Sequence, residues 1–235
     1  QLQFRVLRLS DQRGVVHGKR HRTAAIRRTR RQASTDAAGN VAQGDALLDL
    51  LLEHPTLIKR PVFERRGEVL GGEAPPILET AGVRFLWHPS LSEASGEEVL
   101  LLLERIREGE QALDLLCVEG SMLRGPNGSG RFHLLAGTDT PMIQWVSDLA
   151  ARARYTVAVG TCAAFGGVTA GGANPTEACG LQFDGTRAGG LLGEGYRSQA
   201  GLPVVNVAGC PTHPNWVLDT LMALARSELA ASDLD

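Results

Sequence analysis

The sequence has no long apolar run and few aromatic residues, and the first absence excludes one class of protein. No stretch of 18 apolar residues occurs in the 235-residue chain, whereas a membrane-spanning helix needs about 20. Aromatic residues make up 5% of the chain, and glycine is abundant, with 28 residues. This composition suits an α/β domain that has many tight turns between strands and helices.

Cysteine is also scarce, and its spacing excludes the simplest cysteine-based sites. Four cysteines are too few for a disulfide framework in a chain of this length, and no Cys-x-x-Cys pair is present. We therefore expect a cytoplasmic protein. Two catalytic patterns are missing as well: GPNGSG lacks the lysine of a phosphate-binding loop, and GTCAAFGG lacks the serine of a nucleophile elbow.

Charge is unevenly distributed, although the formal net charge is only −2. Residues 1–31 contain ten Lys and Arg but a single acid, Asp11, so the rest of the chain is net acidic. Residues 1–43 show neither helical nor strand periodicity and are predicted to form a disordered basic arm. Such an arm could attract phosphate, but a solvated tail is favoured and no nucleic-acid partner is expected.

Residues 44–72 predict a short amphipathic helix, DALLDLLLEH, followed by a two-stranded hairpin, LIKRPVFERRGEVLGG. Residues 44–71 resemble the C-terminal part of the arsenate reductases. The resemblance implies that Arg60 matches an oxyanion-binding arginine and Pro61 the proline that follows it. Because no cysteine precedes Cys117, the catalytic cysteine of that family is absent and arsenate reduction is not expected.

Residues 77–228 read as a regular alternation of strands and helices. Ser95 and Glu98 predict a capping box at the start of one helix. Four apolar strands separated by helices predict an open parallel α/β sheet, with ligands bound at the carboxyl ends of its strands. The predicted strands are 82–88, 113–121, 155–160 and 202–209, and the predicted helices are 95–110, 140–154 and 214–229.

Two of these strands end at a glycine and then present a cysteine. Gly160 comes shortly before Cys162 in YTVAVGTCAAFGG, and Gly209 comes directly before Cys210 in LPVVNVAGCPTHP. Glycine lets the backbone approach a cluster closely, and N–H groups in such turns stabilise anionic sulfur. The two thiols therefore suit iron–sulfur ligation, although from spacing alone a small buried hydrophobe is the favoured interpretation for each.

The sequences of several longer segments together resemble a known family. FLWHPSLSEASGEEV, LLCVEGSMLRGPNGSGRFHLLAGT, PMIQWVSDLAARARYTVAVGTCAAFGG and GLPVVNVAGCPTHPNWVLDTLMALA together resemble the [NiFe] hydrogenase small subunit over residues 77–226. RGPNGSGRFHLLAGT and PTEACGLQ are similar to its hydrogen-sensing branch. The resemblance implies a flavodoxin-like domain that binds the proximal [4Fe–4S] cluster and exchanges electrons with a nickel–iron large subunit, with a redox or signalling partner beyond it.

The resemblance also implies roles for individual residues. It makes Cys162 and Cys210 ligands of the proximal cluster and Glu119 an acidic residue beside it. The residues that flank the two ligands and would support them are Gly160, Thr161, Gly209 and Pro211.

The chain departs from the family pattern where the other ligands belong. Family members open with a strand that leads into a Cys-Gly-Gly-Cys turn, and they continue into a second cluster domain; neither feature is found in these 235 residues. Cys117 is expected to pack in the core and Cys179 to lie in a loop. Three histidines also lie in the segments that resemble the family, and the resemblance gives none of them a ligand role: His88, His133 and His213. We expect His213 to support the turn in which it lies.

Three functions follow as alternatives. The first is an iron–sulfur electron-transfer domain, incomplete in this chain, that takes part in hydrogen chemistry only through a large subunit. The second is a cluster-free relic or scaffold that acts by protein or anion binding, and the third is a protein that binds through its basic arm. The cluster subunit of respiratory complex I ranks lower, because RGPNGSGRFHLLAGT has no counterpart there.

Overall fold

The structure is a computed structural model that describes residues 3–9, 62–65, 68–71, 78, 82–89 and 92–234. The chain divides into two compact units, one formed by Gln1–Ser10 with Leu78–Asp235 and the other by Asp11–Ile77. Within the described ranges, no helix combines the length and the apolar character that crossing a membrane would need.

The elements of the described residues are short apart from three helices and four strands. The strands are β1 (Gln3–Leu9), β2 (Val62–Arg65), β3 (Glu68–Gly71), β4 (Val83–Trp87), β5 (Leu113–Glu119), β6 (Met122–Leu123), β7 (Ala153–Val159), β8 (Ala178–Cys179), β9 (Phe183–Asp184), β10 (Arg187–Ala188) and β11 (Val205–Val207). The helices are α1 (Glu97–Glu108), α2 (Met142–Arg152), α3 (Thr161–Phe165) and α4 (Pro214–Ala225), with 3₁₀ turns at Gly167–Ala170 and Ala231–Asp233.

A five-stranded sheet in the order β11-β7-β5-β1-β4 forms the centre of the larger unit. β11, β7 and β5 are parallel. β1 is antiparallel to both of its neighbours, so β4 runs in the same direction as β5. The predicted α/β class is confirmed, and the four predicted strands are parallel to one another as expected, whereas the fifth, antiparallel strand was not predicted.

Strand β1 corrects the prediction that residues 1–43 form a disordered arm. Val6 and Leu7 are both 0% exposed, and the strand pairs with β5 on one side and β4 on the other. Burial of this apolar pair and hydrogen bonding along both edges order the strand. The rest of the predicted arm, residues 10–43, lies outside the described residues.

The neighbouring elements pack as the sequence predicts, with one exception at a helix start. β5 is buried along its middle, and α1 and α2 turn apolar faces that include Leu103 and Trp145 into the same core. α1, however, begins after Gly96 with no side-chain cap. The capping box expected of Ser95 and Glu98 is therefore wrong.

The smaller unit contributes one described feature, the hairpin of β2 and β3. The two strands are antiparallel, with Arg65 opposite Glu68, which confirms the predicted hairpin. The predicted helix at 45–54, Arg60 and Pro61 lie outside the described residues.

The register of the parallel strands places three turns at one edge of the sheet. Glu119 at the end of β5 pairs with Val159 at the end of β7, and Val159 pairs with Val207 at the end of β11. Because parallel strands end at the same edge, the turns that follow them are neighbours. The antiparallel β1 begins at this edge, with Gln3 opposite Glu119.

Shortening a core side chain of β1 tests whether this strand is part of the fold. We expect Leu7→Ala to lower the free energy of unfolding by about 2–5 kcal/mol, as for other large-to-small core substitutions. Arg8→Ala is the matched control: Arg8 is exposed on the same strand, and a surface change should stay within about 0.5 kcal/mol. Urea denaturation followed by circular dichroism measures both, and equal, small effects would contradict the assignment of β1.

Candidate functional site

Two hydrogen bonds join the turns that carry Cys162 and Cys210. The backbone N–H of Thr161 donates to the carbonyl oxygen of Gly209 at 3.0 Å, and the N–H of Gly209 donates to Thr161 Oγ1 at 3.1 Å. We call this reciprocal contact the Thr161–Gly209 pair. Each partner directly precedes one cysteine, so the pair fixes the two cysteine-bearing turns against each other.

Both cysteines line a single open cavity of about 730 Å³. Cys162 is half-buried, in the first turn of α3, and Cys210 is exposed. The remaining wall is mostly carbon, contributed by aromatic, aliphatic and glycine residues after β7 and around β9. The lining residues are Thr161, Cys162, Phe165, Gly167, Val168, Ala170, Gly171, Phe183, Gly185, Thr186 and Cys210.

Two glycines are required by close approaches at this site. A methyl group at Gly167 would lie 2.6 Å from Cys162 Sγ, and one at Gly209 would lie 2.6 Å from the Cα of Thr212. Both glycines also have positive φ angles, 57° and 153°, which side-chain-bearing residues rarely adopt. The glycines around the cysteines therefore allow the two turns to pack closely.

Three polar side chains in or beside the two turns, those of Thr161, Thr212 and His213, form hydrogen bonds within the fold. Thr161 Oγ1 accepts from Gly209, and Thr212 Oγ1 donates to the carbonyl oxygens of Val207 and Gly209, both at 3.3 Å. His213 caps α4, with its Nδ1 accepting from the N–H of Asn215 at 3.3 Å. His213 thus supports the turn, as the sequence predicts.

The donor count decides which metal group these residues fit. Searched over the described part of the chain, the structure contains no group of three or more His, Cys, Asp or Glu that could hold a metal ion. A cubane iron–sulfur cluster takes four thiolates, and the cavity offers Cys162 and Cys210. The residues therefore do not fit a [4Fe–4S] cluster held by this chain alone.

The other two cysteines are buried elsewhere. Cys117 lies in the middle of β5, where burial raises the pKa of its thiol to about 12, although Arg5 opposes the shift. Cys179 lies in β8 rather than in the predicted loop, and burial raises the pKa of its thiol to about 11. Cys179 Sγ also lies 3.8 Å from the carbonyl oxygen of Met122. The predicted core role of Cys117 is confirmed, and neither thiol lines the cavity.

Arg5 occupies the neighbouring part of the same sheet edge. Its Nε donates to Nε2 of His88 at 2.6 Å, and its Nη2 pairs with Glu119 Oε2 at 2.5 Å. Glu119, expected beside the cluster, is thus paired with a cation and is not among the described residues that line the cavity. Sequence reasoning missed Arg5 because it was counted with the basic arm.

The contact with Arg5 requires His88 to accept a hydrogen bond, which only the neutral imidazole can do. Burial, helped by the positive charge of Arg5, lowers the pKa of His88 to about 4, and Glu119 partly opposes the shift. Since the ordinary value is 6.5, the unfolded chain binds the proton more readily between these two values. The contribution of His88 to stability is complete above the higher value and is lost as pH falls towards the lower one.

Replacing His88 with a residue that accepts but does not titrate tests this linkage. We expect His88→Gln to flatten the loss of unfolding free energy between about pH 6.5 and 4, because the amide oxygen keeps the bond from Arg5 without taking up a proton. Urea denaturation of both proteins across this range measures the slope. The same slope in the variant and the parent would show that His88 is not the titrating group.

Comparisons with known proteins identify one family and several hydrogenase small subunits as relatives. The profile of the family described as "NADH ubiquinone oxidoreductase, 20 Kd subunit" matches residues 69–224. The chain is 37% identical over 186 residues to the F420 non-reducing hydrogenase I small subunit of Methanosarcina mazei, an alignment that covers 70% of this chain and 46% of that protein. It is 31% identical over 157 residues to the periplasmic [NiFeSe] hydrogenase small subunit of Desulfomicrobium baculatum, covering 63% and 45%.

A solved structure that matches the chain is likewise a hydrogenase. The actinobacterial-type NiFe-hydrogenase of Ralstonia eutropha H16 matches with a TM-score of 0.52 and 34% identity, over 60% of this chain and 40% of that chain. The alignments thus cover less than half the length of each of these three relatives. The family description names a complex I subunit, whereas these individual relatives are named as hydrogenases.

Proposed function

Because the chain belongs to the family of the NADH ubiquinone oxidoreductase 20 Kd subunit and its individual relatives are hydrogenase small subunits, we propose that it is the electron-transfer domain of a hydrogenase small subunit. In this proposal it works with a nickel–iron large subunit, which carries out the hydrogen chemistry. The observation that carries the proposal is the common cavity of Cys162 and Cys210 at the carboxyl edge of the sheet, where open α/β sheets bind their ligands.

Cys162 and Cys210 act in this proposal as two ligands of an iron–sulfur cluster, the proximal one in the family pattern. Since the chain alone does not supply four thiolates, the remaining ligands come from outside these 235 residues. The Thr161–Gly209 pair holds the two cysteine-bearing turns together, and Gly167 leaves room for Cys162 Sγ. Such a cluster, when bound, supplies one-electron transfer at a potential tuned by its surroundings.

We also propose that the chain belongs to the hydrogen-sensing branch. The two segments whose sequences resemble that branch contact each other, since the N–H of Gly125 donates to the carbonyl oxygen of Thr176 at 3.0 Å. The carboxylate of Glu177 accepts from the N–H groups of Asn127 and Gly128 at 2.6 and 2.9 Å. These bonds join RGPNGSGRFHLLAGT to PTEACGLQ. The two motifs that are similar to the sensing branch therefore act together in this proposal. The cytoplasmic location and a signalling partner stay predictions.

A cluster-free scaffold is the second candidate. It is favoured by the donor count, because the described residues offer no third metal donor at the cavity. In this role the domain keeps the sheet and the cavity wall and acts only by binding another protein.

Anaerobic reconstitution separates the two candidates. The 235-residue chain is incubated with ferrous iron, sulfide and an excess of a small monothiol, which can complete the ligand set. If the electron-transfer proposal holds, iron and acid-labile sulfide bind in equal amounts, and both are lost in Cys162→Ser and in Cys210→Ser. Cys117→Ala is the matched control and should retain them, because Cys117 is buried away from the cavity. Iron content no higher than in the two serine variants would favour the scaffold.

A further inference from the structure

The helix that carries Cys162 depends on hydrogen bonds from another part of the chain. α3 has only five residues, and helices shorter than about 12 residues are marginal without tertiary contacts. The N–H of Leu181 donates to the carbonyl oxygen of Ala163 at 2.8 Å. The N–H of Gly185 donates to the carbonyl oxygen of Phe165, the last residue of the helix, at 3.1 Å. The two bonds occupy helix-end carbonyl groups that have no partner within a helix.

The residues that make these bonds belong to one segment, 180–185, which packs closely on α3. A methyl group at Gly180 would overlap the carbonyl oxygen of Ala164, so the two backbones touch there. The rings of Phe165 and Phe183 meet edge to face with their centroids 5.5 Å apart, a geometry that aromatic pairs favour. The 180–185 segment therefore supports α3 through both its backbone and its side chains.

An ion pair ties the 180–185 segment to the residue that follows β6. Arg124 Nη2 donates to Asp184 Oδ2 at 2.7 Å. Arg124 Nε also donates to the carbonyl oxygen of Glu177 at 3.2 Å, which fixes the orientation of the guanidinium. The two charged side chains are 34% and 44% exposed, so salt screens the pair less than it would a fully exposed one. The pair therefore anchors the segment directly beside Phe183, which lies against α3.

Gln182 anchors the same segment independently of the ion pair. Its side chain is buried. The Nε2 group donates to the carbonyl oxygens of Glu194 and Tyr196 at 2.9 and 3.1 Å, and Oε1 accepts from the N–H of Val204 at 2.8 Å. Loss of the ion pair should therefore loosen the contact with α3 while the segment stays in the fold.

We propose that Arg124 and Asp184 are positioning residues for Cys162. Their ion pair holds the 180–185 segment against α3, and the segment in turn holds the first turn of α3, with its thiol, at the cavity. The pair joins the beginning of RGPNGSGRFHLLAGT to a residue two positions after PTEACGLQ, so it gives these two motifs a task at the site. The use of Cys162 as a ligand rests on the proposed function, whereas its positioning does not.

Alkylation kinetics of the individual cysteines test this role. The metal-free 235-residue chain is treated anaerobically with iodoacetamide, and mass spectrometry of its fragments follows each of the four thiols. We expect Asp184→Asn to raise the alkylation rate of Cys162 by about two- to five-fold, the range that one ion pair of this exposure contributes. The rate of Cys210 should not change, because this thiol is already exposed. An unchanged rate at Cys162 would overturn the proposal.

Further variants separate positioning from a general effect of charge. Arg124→Gln should accelerate Cys162 as much as Asp184→Asn does, and the double variant no more than either, because both changes break one contact. Asp184→Glu keeps the carboxylate and should retain most of the parent's slow rate. Arg187 is exposed on β10, which pairs with the strand of Asp184. Arg187→Gln is therefore the matched control and should leave the rate of Cys162 unchanged.

Cys117 reports opening of the whole fold, because it is buried in the central strand β5. Equal acceleration of Cys117 and Cys162, or additive effects of the two single changes, would overturn the proposal. No iron enters this measurement, so its failure leaves the electron-transfer proposal intact. Failure of the iron–sulfur reconstitution would likewise leave the positioning role intact.

Discussion

The reciprocal hydrogen bonds between Thr161 and Gly209 are the contact on which the candidate site depends. They continue the β7–β11 ladder past the point where both strands stop, so two turns that would otherwise diverge stay together. A cysteine follows each partner directly. Two thiols from chain positions 48 residues apart therefore line one cavity.

The direction of β1 determines what the rest of that edge contains. In the family pattern an opening strand leads into a turn that supplies two further cysteines. Here β1 enters the sheet antiparallel to β5 and β4, so Leu9 leaves it at the opposite edge. The site edge receives Arg5 instead, which pairs with Glu119 and His88. A guanidinium is a cation and cannot ligate a metal, so Arg5 adds no metal donor to the two cysteines that the described residues place at the cavity.

Much of this architecture could be predicted from the sequence, because buried parallel strands and amphipathic helices leave strong periodic patterns. β5, β7 and α2 are examples, and the strand predicted at 202–209 is present but shorter, Val205–Val207, so that it ends two residues before Gly209. β1 was missed because its apolar pair, Val6 and Leu7, is short and lies among arginines that dominate the local charge. Its burial depends on pairing with two strands far along the chain, which no local pattern encodes. The bonds from Thr161 and the contact of Arg5 with Glu119 are likewise long-range, so the sequence could place these residues near strand ends but could not pair them.

Bifunctional thiol crosslinking tests the shared cavity most directly. Dibromobimane becomes fluorescent when it bridges two neighbouring thiols, and the native chain offers one half-buried and one exposed thiol at the cavity, whereas Cys117 and Cys179 are buried. The account predicts a fluorescent product within one chain whose digest links the peptide of Cys162 to that of Cys210, at protein concentrations too low for intermolecular reaction. Separate single adducts on the two cysteines, with no linked peptide, would contradict it.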